Sequence, residues 1–282
     1  MAIRPAIINS MVKAAEKASK RLVRDFGEIE QLQVSLKGPA DFVDKAIRNA
    51  EKALREELLL ARPTYGYSIP GEDDYPGDGL HCFIVAPLDG VTNFLHGIPH
   101  FAISIALRRD KELVASVVYN PISDEIFWAE RGMGSYLNSR RLRVSARRDL
   151  STALVATTMS SPHQQQAEFA PSLANLIAQV STVRQFGSVA LDLAFVAAGR
   201  SDGFFDYGLD SWSLAAGIVL IREAGGFVSD PNTHSIETAE LLKRGDVLAS
   251  NDALHLKLST LLSSPRVAVQ LPIHERIAPT KP

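Results

Sequence analysis

Cysteine is nearly absent: Cys82 is the single one in 282 residues. That excludes an intramolecular disulfide and any thiolate zinc site, and it suits a reducing cytoplasm. Long apolar runs are also missing. No stretch approaches the length of a transmembrane span, so a soluble protein without a membrane partner is expected. The opening residues, "MAIRPAIINSMVKAAEKASKRLVRDF", lack the unbroken apolar core of a signal peptide. Charge of one sign is not in excess either. The formal net charge of −2 gives no global reason to expect nucleic acid or an anionic membrane as partner. The histidines do not make a metal site: His96 and His100 are four apart but straddle Gly97 and Pro99, so they cannot share a helix face. Ser188 lacks the Gly-x-Ser-x-Gly setting of a hydrolase nucleophile.

What is present is enough to build a sizeable core. With 46% hydrophobic and 22% charged residues, the chain suits one large domain or two intimately packed ones. Ile7, Met11, Ala14, Ala15, Ala18 and Leu22 fall at helical spacing and predict an amphipathic surface helix. A second helix is expected over 41–62, where Val43, Ile47, Ala50, Leu54, Leu58 and Ala61 form one stripe and Pro63 stops it. Residues 64–80, rich in glycine, proline and acids, read as a loop. Residues 81–146 read as a run of strands with short joins, hence antiparallel pairing. The cluster "RRLRVSARR" at 140–148 alternates like an edge strand with a solvated face.

The second half changes rhythm. Helices are expected at 171–180, 188–199, 212–226 and 252–262, between the strands "STVRQF", "DGFFDY", "FVSD" and "DVLASN". The expected organisation is an N-terminal α+β half over 1–146 and a C-terminal α/β half over 147–282. No Gly/Ser linker parts them, so they should pack as one body, with a loosely held tail from about 263.

Two stretches carry candidate chemistry. In "FIVAPLDGVTNFLHG" (83–97), an apolar strand runs into Asp89-Gly90, a turn whose backbone N–H groups can face an anion. Taken alone, Asp-Gly is also among the commonest of turns. In "PGEDDYPGD", Glu72, Asp73, Asp74 and Asp78 offer hard oxygen ligands of the kind Mg²⁺ takes, although such loops are commonly just solvated.

Their order along the chain is more specific than either stretch. "FIVAPLDGVTNFLHGIPHFAISIAL" resembles the inositol monophosphatase signature Asp-Pro-Leu-Asp-Gly-Thr-Thr-Asn-Phe-x-His-Gly-x-Pro. "LDSWSLAAGIVLIREAGGFVSD" resembles that family's second signature, Trp-Asp-x-Ala-Ala-Gly followed by Glu-Ala-Gly-Gly. "YNPISDEIFWAERGMGSYLN" and "RQFGSVALDLAFVAAGRSDGFF" are also similar to family segments, so the resemblance spans roughly residues 6–262, most of all to the SuhB-type members. It implies a five-layered αβαβα sandwich, usually dimeric, that hydrolyses small phosphate monoesters. Mg²⁺ ions held by carboxylates lower the pKa of a bound water and neutralise the phosphoryl charge.

Carried over residue by residue, the resemblance implies metal contacts from Glu72, Asp89 and the Leu88 carbonyl. It implies phosphate or substrate contacts from Gly90, Thr92 and Asp206. Four positions depart from the pattern. Ile47, Ala86 and Ser213 stand where the family has metal-site aspartates, and Val91 replaces the water-orienting threonine. Asp44 and Asp210 each lie three residues before a lost aspartate. Mg²⁺ is therefore expected to bind weakly or not at all, and no catalytic set is expected intact. The leading expectation is a cytoplasmic member with little or no hydrolysis that keeps a binding or regulatory role. Its partners would be a small phosphorylated ligand, a second copy or a paralogue, and, by family analogy, the transcription machinery. The alternative is an active Mg²⁺-dependent phosphomonoesterase whose acidic loop rebuilds the site around Glu72, Asp73, Asp74, Asp78, Asp89 and Asp44.

Overall fold

The computed structural model describes residues 4–32, 40–159 and 166–263. The tail expected to be loose lies, beyond Ser263, outside these residues. So does the "GP" that precedes the second helix.

Two long helices come first, α1 (Ala6–Leu32) and α2 (Ala40–Ala61). Ile8, Met11, Ala14, Ala15, Ala18 and Leu22 of α1 are buried, as are Val43, Ala50, Leu54 and Leu58 of α2. The α1 stripe is turned slightly from the expected one, with Ile8 rather than Ile7 at its buried edge. α2 ends just before Pro63, whose ring cannot continue it.

The apolar faces of α1 and α2 lie on a seven-stranded sheet. Its strands are β1 (Gly66–Ser68), β2 (His81–Asp89), β3 (Ala102–Arg109), β4 (Glu112–Asn120), β5 (Glu125–Glu130), β6 (Gly134–Leu137) and β7 (Arg140–Arg141), in sequential order. From β2 to β7 every pairing is antiparallel, and from β3 onward the joins are short. A short helix, α3 (Val91–Leu95), interrupts the run between β2 and β3.

Two expectations need correcting. The stretch 64–80 is not all loop, because β1 pairs in parallel with β2, and Tyr67 also exchanges backbone hydrogen bonds of 2.8 and 2.9 Å with Tyr75. Gly66 permits that crowding: a Cβ there would sit 2.8 Å from the Tyr75 carbonyl oxygen. The arginine-rich edge strand is only the two residues of β7. Beyond it the chain leaves the sheet, with Leu142 N–H on the Ser135 carbonyl and Val144 N–H on that of Ala224.

The second half follows as β8 (Leu154–Ala156), α4 (Gln166–Ile177), β9 (Thr182–Arg184), α5 (Val189–Ala197), β10 (Gly203–Asp206), α6 (Ser211–Glu223), β11 (Phe227–Ser229), α7 (Thr238–Arg244), β12 (Val247–Ser250) and α8 (Asp252–Ser263). The five strands order as β11-β12-β10-β8-β9, parallel through β10, β8 and β9 and antiparallel through β12. β8 and α7 were not anticipated from the sequence.

Alternation along the second sheet sorts its residues into two cores. Phe204, Val247 and Ala249 join Ile84, Ala106, Val118 and Phe127 of the first sheet around α5 and α6. Phe205, Leu248 and Val155 turn the other way, onto α4 and α8. The layers are therefore α1/α2, first sheet, α5/α6, second sheet, α4/α8: a five-layered αβαβα sandwich. α5 and α6 are apolar nearly all round because each is covered by a sheet on both sides. They also meet closely, since a Cβ at Gly217 would lie 2.4 Å from Leu193 Cδ1.

Candidate functional site

β2 ends where the β2–β3 register shifts between Ala86 and Asp89, and the chain turns at Gly90 with φ of 91°, a left-handed value that glycine adopts freely. Gly90 also packs tightly, since a Cβ there would approach the His100 carbonyl oxygen to 3.1 Å. α3 starts at once from this turn. Asn93 fixes it by donating 2.7 Å hydrogen bonds to the carbonyls of His100 and Phe186, which ties the first half of the chain to the approach of α5. His96 then caps the C-terminal end of α3, so His96 and His100 indeed share no helix.

Around this turn opens a cleft of about 460 Å³. It gathers Ala86, Leu88, Asp89, Gly90, Val91 and Thr92 from the β2–α3 turn and Asp210 and Ser213 from the start of α6. Most of the residues expected at the site thus converge, from segments more than a hundred positions apart. Glu72, Ile47 and Asp206 do not line the cleft.

The chemistry of each side chain decides what the cleft can do. Asp89 is buried, and its Oδ1 accepts the Ser188 hydroxyl and, at 3.1 Å, the Ala190 N–H. Ser188 is the N-cap of α5, so Asp89 serves that helix end from across the cleft. Burial pushes the Asp89 carboxyl up to about 6, against the downward pull of hydrogen bonds from Ser188, Ser213 and Ala190. Asp210 is the N-cap of α6: its Oδ1 accepts the Ser213 N–H at 2.8 Å and its Oδ2 the Ser213 hydroxyl at 3.3 Å. It does lie just before the helix, where the sequence had put it. Ala86 and Val91 bring no side-chain oxygen, and Val91 stands 42% exposed at the mouth.

The remaining candidates have other occupations. Glu72 pairs with Arg55 at 2.9 Å, both in part exposed. Ile47 packs against the core between α2 and the first sheet. Asp206 is fully buried, with hydrogen bonds from the Thr158 hydroxyl at 2.6 Å, the Thr158 N–H at 3.0 Å and the Tyr207 N–H at 2.9 Å. Asp78 takes the N–H groups of Leu80 and His81 and the His81 Nδ1, which holds its carboxyl down at about 2. Asp74 lines a separate small pocket beside Cys82 and Arg108. The acidic loop therefore does not rebuild a carboxylate cluster at the cleft.

These residues do not fit the Mg²⁺ ions that the resemblance implies. Hard cations need several oxygens converging on one point. Among the described residues, no three His, Cys, Asp or Glu side chains come together as such a group. Among the buried acids that the sequence gives no reason to single out, Asp192, in the first turn of α5, is fully buried with neither carboxylate oxygen hydrogen-bonded among the described residues. Burial, then the nearby charges of Asp89 and Asp206, raise its pKa well above the usual range. The apolar flanks of Asp192 gave no sign of this. The spacing Gly-x-Ser-x-Gly at 199–203 is no nucleophile elbow, because it joins a helix to a strand and buries Ser201.

Motif residues kept intact prove to be scaffold. Glu223 of the "EAGG" segment accepts the N–H groups of Gly132 and Gly134 at 2.9 and 2.8 Å, pinning the β5–β6 turn. Trp212 Nε1 donates to Ser68 Oγ at 3.0 Å, joining α6 to β1.

Comparison with known proteins agrees with this architecture. The model of the inositol monophosphatase family matches residues 5–267. An inositol-1-monophosphatase of Rhizobium meliloti is 49% identical over 266 residues, covering 93% of this chain and 98% of the relative. A Pseudomonas aeruginosa protein named Nus factor SuhB is 37% identical, covering 91% of this chain and 95% of the relative. The crystal structure of the Bartonella henselae extragenic suppressor protein suhB is 50% identical, with a TM-score of 0.84 over 92% of this chain and 99% of that one. With sequence, layers and connections agreeing over nearly the whole described chain, the protein belongs to the inositol monophosphatase family, among its SuhB-like members.

Proposed function

We propose that this family member has lost most or all phosphomonoester hydrolysis and acts by binding. The observation that supports this most directly is the occupation of Asp89. It is the one aspartate of the first signature that remains, and it is buried and spent on the N-terminus of α5. The family reaction draws on a metal cofactor. Here Ile47, Ala86 and Ser213 replace three of the carboxylates that would hold it, Val91 replaces the water-orienting threonine, and Glu72 is engaged by Arg55. Losing one outer partner of a metal site costs about 10–100-fold, and several direct ligands lost together cost more.

What persists is the shape of the cleft. Gly90 and Thr92 offer backbone N–H groups and a hydroxyl to a small phosphorylated ligand. Among the described residues no lysine or arginine lines the cleft to balance a dianion, so such binding is weak. The role then rests on protein contacts: a homodimer or pairing with an active paralogue and, since relatives carry the name Nus factor, contact with transcription proteins. No helix among the described residues is long and apolar enough to cross a membrane, and a cytoplasmic site of action suits the lone buried cysteine. The test is turnover of inositol-1-phosphate with and without Mg²⁺, beside a variant in which the four replaced positions regain the family's residues. An interaction that is Mg²⁺-independent and survives Glu72→Gln would support the binding role.

A further inference from the structure

A second pocket lies at the far end of the first sheet. His81 and Asp89 are the two ends of nine-residue β2, so this pocket and the cleft stand roughly 26 Å apart. It has a volume of about 260 Å³, the size of a small metabolite rather than a drug. Leu107 and Ala115 floor it, and the start of α1 and the end of α2 wall it. Its polar groups are Arg62, Tyr65, His81, Arg109, Glu130 and Arg131.

Three arginines line the pocket from three places: after α2, at the end of β3 and after β5. Arg131 is shared with Glu112 at 3.4 Å, and Arg62 donates to the Ala61 carbonyl at 2.7 Å. Among the described residues the Arg109 guanidinium has no partner. Guanidiniums bind phosphate through paired, charge-assisted hydrogen bonds, which makes these arginines an anion receptor. Asp78 fixes His81 through Nδ1 at 3.0 Å, and the imidazole stacks on Tyr65 at 4.3 Å with 7° between the planes. The stack forms one wall of the pocket.

The pocket also holds Glu130. Its Oε2 is buried with no hydrogen-bond partner among the described residues, and burial raises its pKa. A buried carboxylate oxygen without a donor is costly, and an arriving N–H or O–H would satisfy it. The cleft at the other end of the sheet has the opposite character, with Asp89 and Asp210 and, among the described residues, no basic side chain.

We propose that this distal pocket is a second ligand site, taking a small phosphate ester that carries an amine or hydroxyl. The phosphate would sit on Arg109, Arg131 and Arg62, and the donor would reach Glu130. This assignment does not depend on whether the cleft hydrolyses anything.

Calorimetric titration at low ionic strength with phosphoethanolamine, and separately with inorganic phosphate, tests it. The intact protein should bind phosphoethanolamine more tightly than inorganic phosphate. Arg109→Gln, a change at an exposed side chain, should weaken both by about tenfold or more. Glu130→Gln should erase the preference for phosphoethanolamine while inorganic phosphate still binds. Lys20→Gln, at an exposed lysine of α1 that lines neither pocket, should change neither. Absence of binding to the intact protein, equal affinity in Arg109→Gln, or equal weakening in Lys20→Gln would each overturn the assignment. An unchanged preference in Glu130→Gln would overturn the role given to Glu130.

Discussion

Asp89 Oδ1 lies 3.1 Å from the backbone nitrogen of Ala190, accepts its N–H, and takes the Ser188 hydroxyl as well. A carboxylate that the resemblance assigns to a metal site thus performs a structural task, holding the end of β2 to the start of α5. If so, removing the acceptor should hurt more than removing the charge. Asp89→Ala leaves a buried hydroxyl and N–H unpaired and should cost about 2–4 kcal/mol, while Asp89→Asn, which keeps one acceptor oxygen, should cost less than half of that. Urea denaturation of the two variants beside the parent checks the order.

The pH dependence follows from the same burial. With its pKa near 6 in the fold and an ordinary value of 3.8, Asp89 keeps its proton in the folded protein over a range where the unfolded chain has released it. Stability therefore falls as pH rises from about 4 to about 6 and is level above. The shift corresponds to about 3 kcal/mol from this group. The asparagine variant should lose much of that slope, measured as the change in urea midpoint between pH 4.5 and pH 7.

Asp192 should behave as a buried liability. Both carboxylate oxygens lack hydrogen bonds among the described residues, and the charges of Asp89 and Asp206 add to the penalty of burial. A group of similar shape without the charge removes that cost. Asp192→Asn is expected to stabilise the protein at pH 7 by about 1–3 kcal/mol. Destabilisation in urea would show that the carboxylate has a role in the fold.

Mg²⁺ should leave the thermal midpoint of the protein unchanged at millimolar concentrations, because ligands that bind only the native state raise it. The variant Ile47→Asp/Ala86→Asp/Val91→Thr/Ser213→Asp should behave in the opposite way. Its new carboxylate at position 213 faces Asp210, which now accepts the Ser213 hydroxyl at 3.3 Å. Like charges at that spacing destabilise the apo form, so Mg²⁺ should raise the variant's Tm by about 3 °C or more.

Much of this architecture could be read from the chain, for identifiable reasons. α1 and α2 cover one face of a sheet, so burial imposes a stripe of period 3.6, and the stripe is visible in Met11, Ala15 and Leu22. The strands from β3 to β6 announce themselves because short turns separate them. β1 was hidden since its three residues sit in a Gly- and Pro-rich stretch and gain their order from β2 and Tyr75, far along the chain. β8 has three residues and no alternation long enough to register. At the cleft, Asp89, Gly90, Thr92 and Ser213, which the order of motifs groups together, line one cavity. It could not show that Glu72 faces Arg55 or that Asp206 turns back onto Thr158, because those outcomes are set by partners 17 and 48 positions away.

The most direct test is hydrolysis of inositol-1-phosphate and of p-nitrophenyl phosphate, with and without Mg²⁺, by the protein and by the fourfold variant in parallel. No Mg²⁺-dependent turnover by the protein, with turnover gained by the variant, is the predicted result: a sound scaffold in which Asp89 has been left without the metal chemistry around it. Robust Mg²⁺-dependent turnover by the unaltered protein, abolished by Glu72→Gln, would contradict the account and show that the acidic loop reaches the cleft.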